Sequence, residues 1–396
     1  MKKRVNTIDG LRGFSLIGIL IANMLIFQYG MFGKDKMENF NLSAIDQVAY
    51  IWTKIFVESS FMPIFMFMFG YSMIFLQRKL VRNEKKVKRH FVRRFILLII
   101  FGLLHATFVW EGDILFSYGI MGLLMLIFQN RKKKTILVWA ILLFVITSLL
   151  SIGEVEETAE ELEHQASYIQ KETTAYSVGD YQEVYNFRNS GEDPFGYPDY
   201  VYALVIFMAP LVTCPMFLFG MYAAKSNWFT NPKREKKLYT RFILIFLPIG
   251  FVLKSVPYLF PGLSVEFALY TTGATLLSIG YIFSFSLLYT KQEIQFLSFF
   301  EKVGKLSLSN YLLQSIICTV IFYEYGLGLF RELGVLYGII LAIFIYGIQV
   351  ILSHYYLKKW RLGPFEKILR IGTYLSWKGN PKRKEQVELE KIPVDM

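Results

Sequence analysis

His105 and Asp113 stand eight residues apart, with only Glu111 and Gly112 between Asp113 and the apolar stretch that carries the histidine. A carboxylate that fixes one imidazole nitrogen leaves the other free to take a proton, which is the usual equipment of a general base. The plainer alternative is a buried histidine whose hydrogen bonds are simply satisfied. Both depend on a turn that folds Asp113 back towards the ring. Glu58, also expected in the outer half of its span, is grouped with this pair.

A second set lies on the first apolar stretch. Asp9 and Arg12 are three apart and share a helix face, so they can form an ion pair. Arg12 can equally offer a planar fork to phosphate or carboxylate, with Arg94, or Arg93 beside it, as a second cation on the same side. Asn23, eleven residues beyond Arg12, lies about 16 Å further along a helix. Its leading role is hydrogen bonding between helices. A third set, Asn310 and Gln314, is four apart on one face, suited either to bonding between helices or to a polar pocket. Lys254 sits near a span end, where snorkelling suffices.

These residues are unusual because of what surrounds them. The 396-residue chain is 54% hydrophobic, 17% aromatic and only 19% charged. Its mean hydropathy is +0.39. Soluble domains carry about a quarter charged residues, and uninterrupted apolar blocks of this length cross bilayers. Soluble, disordered, collagen-like and disulfide-scaffold classes are excluded. Each charged group inside a span costs about 2.5–3.5 kcal/mol on insertion scales and so needs a reason. The two cysteines, Cys214 and Cys318, lie in apolar blocks without metal spacing and read as buried hydrophobes.

Ten spans are expected, near 11–31, 48–77, 93–110, 114–129, 135–152, 199–223, 240–259, 266–289, 307–323 and 335–357. The third and fourth form a tight hairpin around Glu111, Gly112 and Asp113. Basic clusters at 2–4, 78–94, 131–134, 233–237 and 358–384 all fall on one side of such a chain, the cytoplasmic side by the positive-inside rule. The net charge of +12 therefore reflects orientation at a membrane rather than nucleic-acid binding. Asp9 and Arg12 break the apolar core that a cleaved signal peptide would need. The fold class is an all-α polytopic membrane protein with both termini cytoplasmic. Its parts are membrane helices in 1–152, an acidic outer loop in 153–198, membrane helices in 199–357 and a cytoplasmic interfacial segment with a basic tail in 358–396.

The outer loop opens with Glu154, Glu156, Glu157, Glu160, Glu161 and Glu163 and ends in a Pro- and Gly-rich turn. It is expected to be helical in its first half, as a solvated cap or as a lid. A faint echo links 63–70 (PIFMFMFG) to 215–220 (PMFLFG), both at ends of spans that run inwards. The stretch 291–305 and the aromatic-rich segment from Trp360 to Trp377 have the pattern of interfacial amphipathic helices. The last dozen residues read as a disordered tail.

Soluble-enzyme signatures such as GxSxG, the P-loop and HExxH are absent from the sequence. Asp9-Gly10-Leu11-Arg12-Gly13 with Asn23, the hairpin from Gly102 through His105 to Leu115, Gly304-Lys-Leu-Ser-Leu-Ser-Asn310-Tyr-Leu-Leu-Gln314, and Trp360-Arg361-Leu-Gly363-Pro364-Phe-Glu366 together resemble YeiB-like bacterial membrane proteins. The resemblance covers nearly the whole chain outside the acidic loop. The first-span motif is also similar to that of two membrane acyltransferase groups: those acetylating surface glycans and the heparan-glucosaminide acetyltransferase type. The glycan group has a His where this chain has Asn23, which cannot act as a base. The heparan type has Asn there and a His shortly after, where this chain has Lys34.

The function expected from these readings is acyl transfer. An acyl-CoA donor enters from the basic side, held by Arg12 and Arg94, with Asn23, Asn310 and Gln314 along the path. His105, oriented by Asp113, deprotonates a hydroxyl or amine on a small-molecule, lipid or glycan acceptor at the outer face. Membrane lipids and a homodimeric copy are the other partners expected, with no nucleic acid and no metal. The rival expectations are a proton-coupled transporter using Glu58, His105 and Asp113, and a lipid-binding regulatory protein. The expected location is the cytoplasmic membrane.

Overall fold

The computed structural model describes residues 5–83, 85–153, 158–197, 199–291 and 294–377. The glutamates at 154, 156 and 157, the first basic cluster and the expected disordered tail lie outside them. The described residues are helical, without strands. The chain runs α1 (Asn6–Tyr29), α2 (Ala44–Phe56), α3 (Met62–Arg82), α4 (Val87–Phe108), α5 (Leu115–Met125), α6 (Lys133–Leu150), α7 (Ala159–Val178) and α8 (Tyr181–Asn189). It continues through α9 (Asp199–Lys225), α10 (Pro232–Leu259), α11 (Glu266–Leu288), α12 (Leu297–Lys305), α13 (Ser307–Phe322), α14 (Gly334–Lys359) and α15 (Pro364–Tyr374).

Seven of these helices are long and apolar enough to cross a bilayer, and α12 with α13 supplies an eighth, broken by an 85° bend. With α9, 27 residues long, and the short α5, the fold makes about ten crossings. The lipid-facing surface is explicit in α6 and α10, where Val138, Ile141, Val145, Leu149, Leu244 and Val252 are exposed. An all-apolar exposed face of this extent is stable only against hydrocarbon.

The second expected span divides. Residues 57–61 turn between α2 and α3, with Ser59 in the left-handed region at φ 59°. The break holds only three polar residues, Glu58, Ser59 and Ser60, and long apolar flanks hide it in a span-length reading. The outward stripe Ile45, Val48, Trp52 and Phe56 is exposed along α2, giving it the geometry of an interfacial helix.

Close approach of backbones sets the packing. Between α3 and α9, a Cβ on Gly70 would lie 2.0 Å from the Phe217 carbonyl oxygen, and one on Gly220 would lie 2.0 Å from that of Phe67. The faint sequence echo is thus the reciprocal contact of these two helices. In the same way a Cβ on Gly13 would meet Phe300 O at 2.1 Å, and one on Gly304 would meet Asp9 O at 1.8 Å. Such small-residue contacts are how membrane helices gain dispersion energy without a hydrophobic drive between them. This second contact holds α12 against the turn of α1 that carries Asp9 and Arg12.

The basic connections gather at one end. Lys225 donates to the carbonyls of Gln129 (2.9 Å) and Arg131 (2.7 Å), and Arg78 donates to Asn227 at 3.0 Å. At the opposite end α7 and α8 form a cap. Each starts with a reciprocal capping box, Thr158 with Glu161 and Asp180 with Glu183. Tyr181 is bonded to Phe108 O at 2.8 Å and Arg188 to Val109 O at 2.5 Å, so α8 is fastened to the end of α4.

Candidate functional site

The histidine sits in the last turn of α4, which ends at Phe108 as Val109 and Trp110 both donate their N–H groups to His105 O at 2.9 Å. The chain then turns through 109–114, and Asp113 caps α5 by accepting from Phe116 N at 2.9 Å. Its other oxygen lies 2.8 Å from His105 Nδ1. Histidine and aspartate side chains are 3% and 1% exposed. A buried carboxylate beside a neutral imidazole accepts, so Nδ1 carries the hydrogen and Nε2 presents its lone pair. Nε2 has no partner among the described residues. The sequence pairing of these two residues is therefore a direct contact.

Tyr311, on α13, ties the hairpin in place. Its hydroxyl accepts from Ile114 N at 3.2 Å and donates to Gly112 O at 3.3 Å. Its ring centroid lies 5.6 Å from that of His105. Nothing in the sequence singled Tyr311 out, although it sits within the motif that ends at Gln314.

A cavity of about 410 Å³ runs from the basic end to Ile114, Leu115 and Tyr311, while His105 and Asp113 are not among its lining residues. Asp9, Arg12, Ser72, Arg94, Tyr311 and Glu366 are among its walls. Arg12 bonds Asp9 at 3.2 Å and also the Ser72 hydroxyl. A larger cavity of about 1320 Å³ shares Arg94 and Arg370 with it and adds Arg78, Lys79 and Arg82. Arg93 lines neither. Glu366, from α15, accepts from Leu308 N (2.8 Å), Ser309 N (3.1 Å) and Ser309 Oγ (2.5 Å). A carboxylate there satisfies the free N–H groups and the positive end of α13. It thereby fixes the helix that bears Tyr311.

Five other residues of the sequence analysis lie elsewhere. Glu58 belongs to a separate outer cluster, paired with Lys34 at 2.9 Å and Lys54 at 2.6 Å and accepting from Tyr270 at 2.9 Å. Burial works to raise its pKa, but the two lysines hold it down, at about 2. Its grouping with His105 and Asp113 is corrected, because its partners come from connections that the linear sequence does not place together. Lys254 does not snorkel; it is fully buried and donates to Glu58 O at 2.5 Å and Ser60 Oγ at 3.0 Å. Asn310 donates to Val303 O and Ser353, and Gln314 to Gln349 at 2.9 Å. They join α12, α13 and α14 rather than line the cavity. Asn23 is half-buried, with no hydrogen bond among the described residues.

Residues 223–376 match the family described as a protein of unknown function, DUF418. The chain is 31% identical to the uncharacterized protein YxaH of Bacillus subtilis strain 168, over 96% of this chain and 97% of that one. The chain belongs to this YeiB-like family. It is also 28% identical to an uncharacterized 39.9 kDa protein in the amylase 3′ region of Bacillus acidopullulyticus, covering 94% of this chain and 95% of that protein. Against the uncharacterized protein YeiB of Escherichia coli K12 the identity is 24%, with 92% and 94% covered. The likeness is thus to whole proteins, and the α7–α8 cap falls within the aligned length.

Proposed function

We propose that this protein is an acyltransferase of the cytoplasmic membrane. It takes an acyl group from an acyl-CoA-type thioester at the basic face and delivers it to a hydroxyl or amine acceptor from the outer face. The observation that carries this reading is His105, its tautomer set by Asp113 and its Nε2 unpartnered, packed on Tyr311, a wall of the cavity that reaches Arg12 and Arg94. Arginines suit the phosphates of such a donor because the guanidinium fork matches their oxygens. The apolar walls between the arginines and Tyr311 suit an acyl–pantetheine arm.

In the transfer step the acceptor's O–H or N–H proton passes to His105 Nε2 while its oxygen or nitrogen bonds to the thioester carbonyl carbon. The C–S bond then breaks, and the sulfur leaves with the proton returned by the imidazolium. Asp113 keeps the ring oriented and stabilises its transient charge. Proton-coupled transport fits less well, since Glu58, held ionised by two lysines, is poorly suited to exchange protons with His105.

Donor binding is tested by thermal unfolding of the purified protein with acetyl-CoA and longer acyl-CoAs. A ligand held only by the folded state adds about 2.7 kcal/mol at a hundredfold excess over Kd. Stabilisation by an acyl-CoA, lost in Arg12→Ala, is expected. Equal stabilisation in both proteins would remove Arg12 from the site, and none with any acyl-CoA would end the donor assignment.

A further inference from the structure

Beneath the α7–α8 cap, buried polar atoms without partners collect around the turn that follows His105. Arg188 spends one nitrogen, Nη1, on Val109 O at 2.5 Å. Its Nε and Nη2, the side-on edge of the guanidinium, are buried and unpartnered among the described residues, and the side chain is 2% exposed. Glu172, also 2% exposed, accepts from Met31 N at 3.0 Å through Oε1, while Oε2 has no partner. Glu111 accepts from Tyr176 at 2.8 Å through Oε1; its buried Oε2 has no hydrogen bond among the described residues and makes only a loose ion pair with Arg188 Nη1, at 3.9 Å. Trp110 Nε1, Tyr323 OH and His105 Nε2 are likewise buried without a hydrogen bond among the described residues.

A polar atom buried without a bond is costly to folding, so a group of this size in one place marks a site built to bond something. Its chemistry is two-sided. A guanidinium edge takes a carboxylate or phosphate through two parallel bonds. Two carboxylate oxygens on the other side take an ammonium. The rings of Trp110, Tyr176 and Tyr323 supply aromatic surface, with Tyr176 and Tyr323 stacked at 4.3 Å.

We propose that this cluster of buried polar groups binds a small zwitterion, its carboxylate or phosphate on the Nε–Nη2 edge of Arg188 and its ammonium at Glu111 and Glu172. A phosphoethanolamine lipid headgroup and a free amino acid or phosphoethanolamine share this chemistry. If the acyltransferase reading holds, on which this assignment of role rests, the zwitterion is the acyl acceptor. Its amine, after giving its extra proton to a carboxylate, then lies beside the base. Burial and the neighbouring Glu111 push Glu172 up to about 8. Glu172 is therefore protonated at neutral pH before the ammonium arrives, and binding releases a proton. The groups facing it are Glu111 from the α4–α5 turn, Tyr168 and Tyr176 from its own helix, and the backbone N–H of Met31 after α1, with Arg188 of α8 beyond Glu111.

The test uses full-length protein in phosphatidylglycerol nanodiscs, unfolded thermally with 10 mM O-phosphoethanolamine or glycine, and with ethanolamine or acetate as half-ligands. A parallel arm incorporates phosphatidylethanolamine in the disc. A zwitterion is expected to raise the unfolding temperature more than either half-ligand. The arm that shows the shift tells lipid from soluble ligand. Arg188→Gln should abolish the shift. Glu172→Gln should weaken it and remove its increase with pH between 6 and 9; where Arg188→Gln does not fold, this variant decides. No shift with any zwitterion, free or lipid, overturns the site, as does a shift unchanged in the variants. A zwitterion shift without thiol release from acyl-CoA keeps the site and removes its acceptor role. Turnover of acyl-CoA with another acceptor and no zwitterion shift removes the site alone.

Discussion

The base role proposed for His105 depends on a turn of six residues that brings Asp113 to its Nδ1. Replacing Asp113 with Asn lets the amide donate to Nδ1 and moves the ring hydrogen to Nε2, the wrong place for a base. Asp113→Asn should lower turnover by about 10²–10⁴, the worth of a placed general base, with acyl-CoA stabilisation unchanged; steady-state rates beside thermal shifts check it. Glu366→Gln should cost about 1–2 kcal/mol, because a charged acceptor at the start of α13 becomes neutral. Chemical denaturation reads that loss. The His105–Asp113 contact was legible in the sequence because both residues flank one short turn. Glu58 was misgrouped because Lys34, Lys54 and Tyr270 come from three separate segments. Tyr311 and Glu366 act through hydrogen bonds to elements distant in the chain, and no spacing in the sequence encodes those.

Element contacts carry their own consequences. Gly70→Ala places a methyl 2.0 Å from Phe217 O, so α3 and α9 must separate. A loss of about 1–3 kcal/mol is expected, as for overpacking elsewhere, measured by thermal unfolding in detergent. The cap responds to pH through Glu172. Its carboxyl pKa is about 8 in the closed cap and about 4.3 when opened to water, so the closed form binds the extra proton. Closure is fully favoured below about pH 4 and loses that contribution as pH rises through 8. Protection factors of α7 and α8 amides should fall across that window in the wild type and stay flat in Glu172→Gln. The long membrane helices were legible from apolar runs, whereas α8, in the second half of the outer loop, was not. The break at 57–61 was not, since a polar turn flanked by apolar residues reads as one long span.

At the scale of the whole molecule, charge sets the direction. Basic connections meet at one end and the capped, acidic surface forms the other, which by the positive-inside rule is outside. A cysteine at Ser190 should react with a membrane-impermeant thiol reagent on intact cells, and one at Asn231 only after lysis; the native Cys214 and Cys318 are buried. The reverse pattern would invert the donor and acceptor faces. The central claim is that His105 moves the proton in acyl transfer. Its most direct measurement is thiol release from acetyl-CoA by nanodisc protein, with and without an amine acceptor, in wild type and His105→Gln. The account predicts acceptor-dependent release in the wild type and none in His105→Gln, which is still stabilised by acetyl-CoA. Release at the wild-type rate in His105→Gln, or none in either protein, would contradict it.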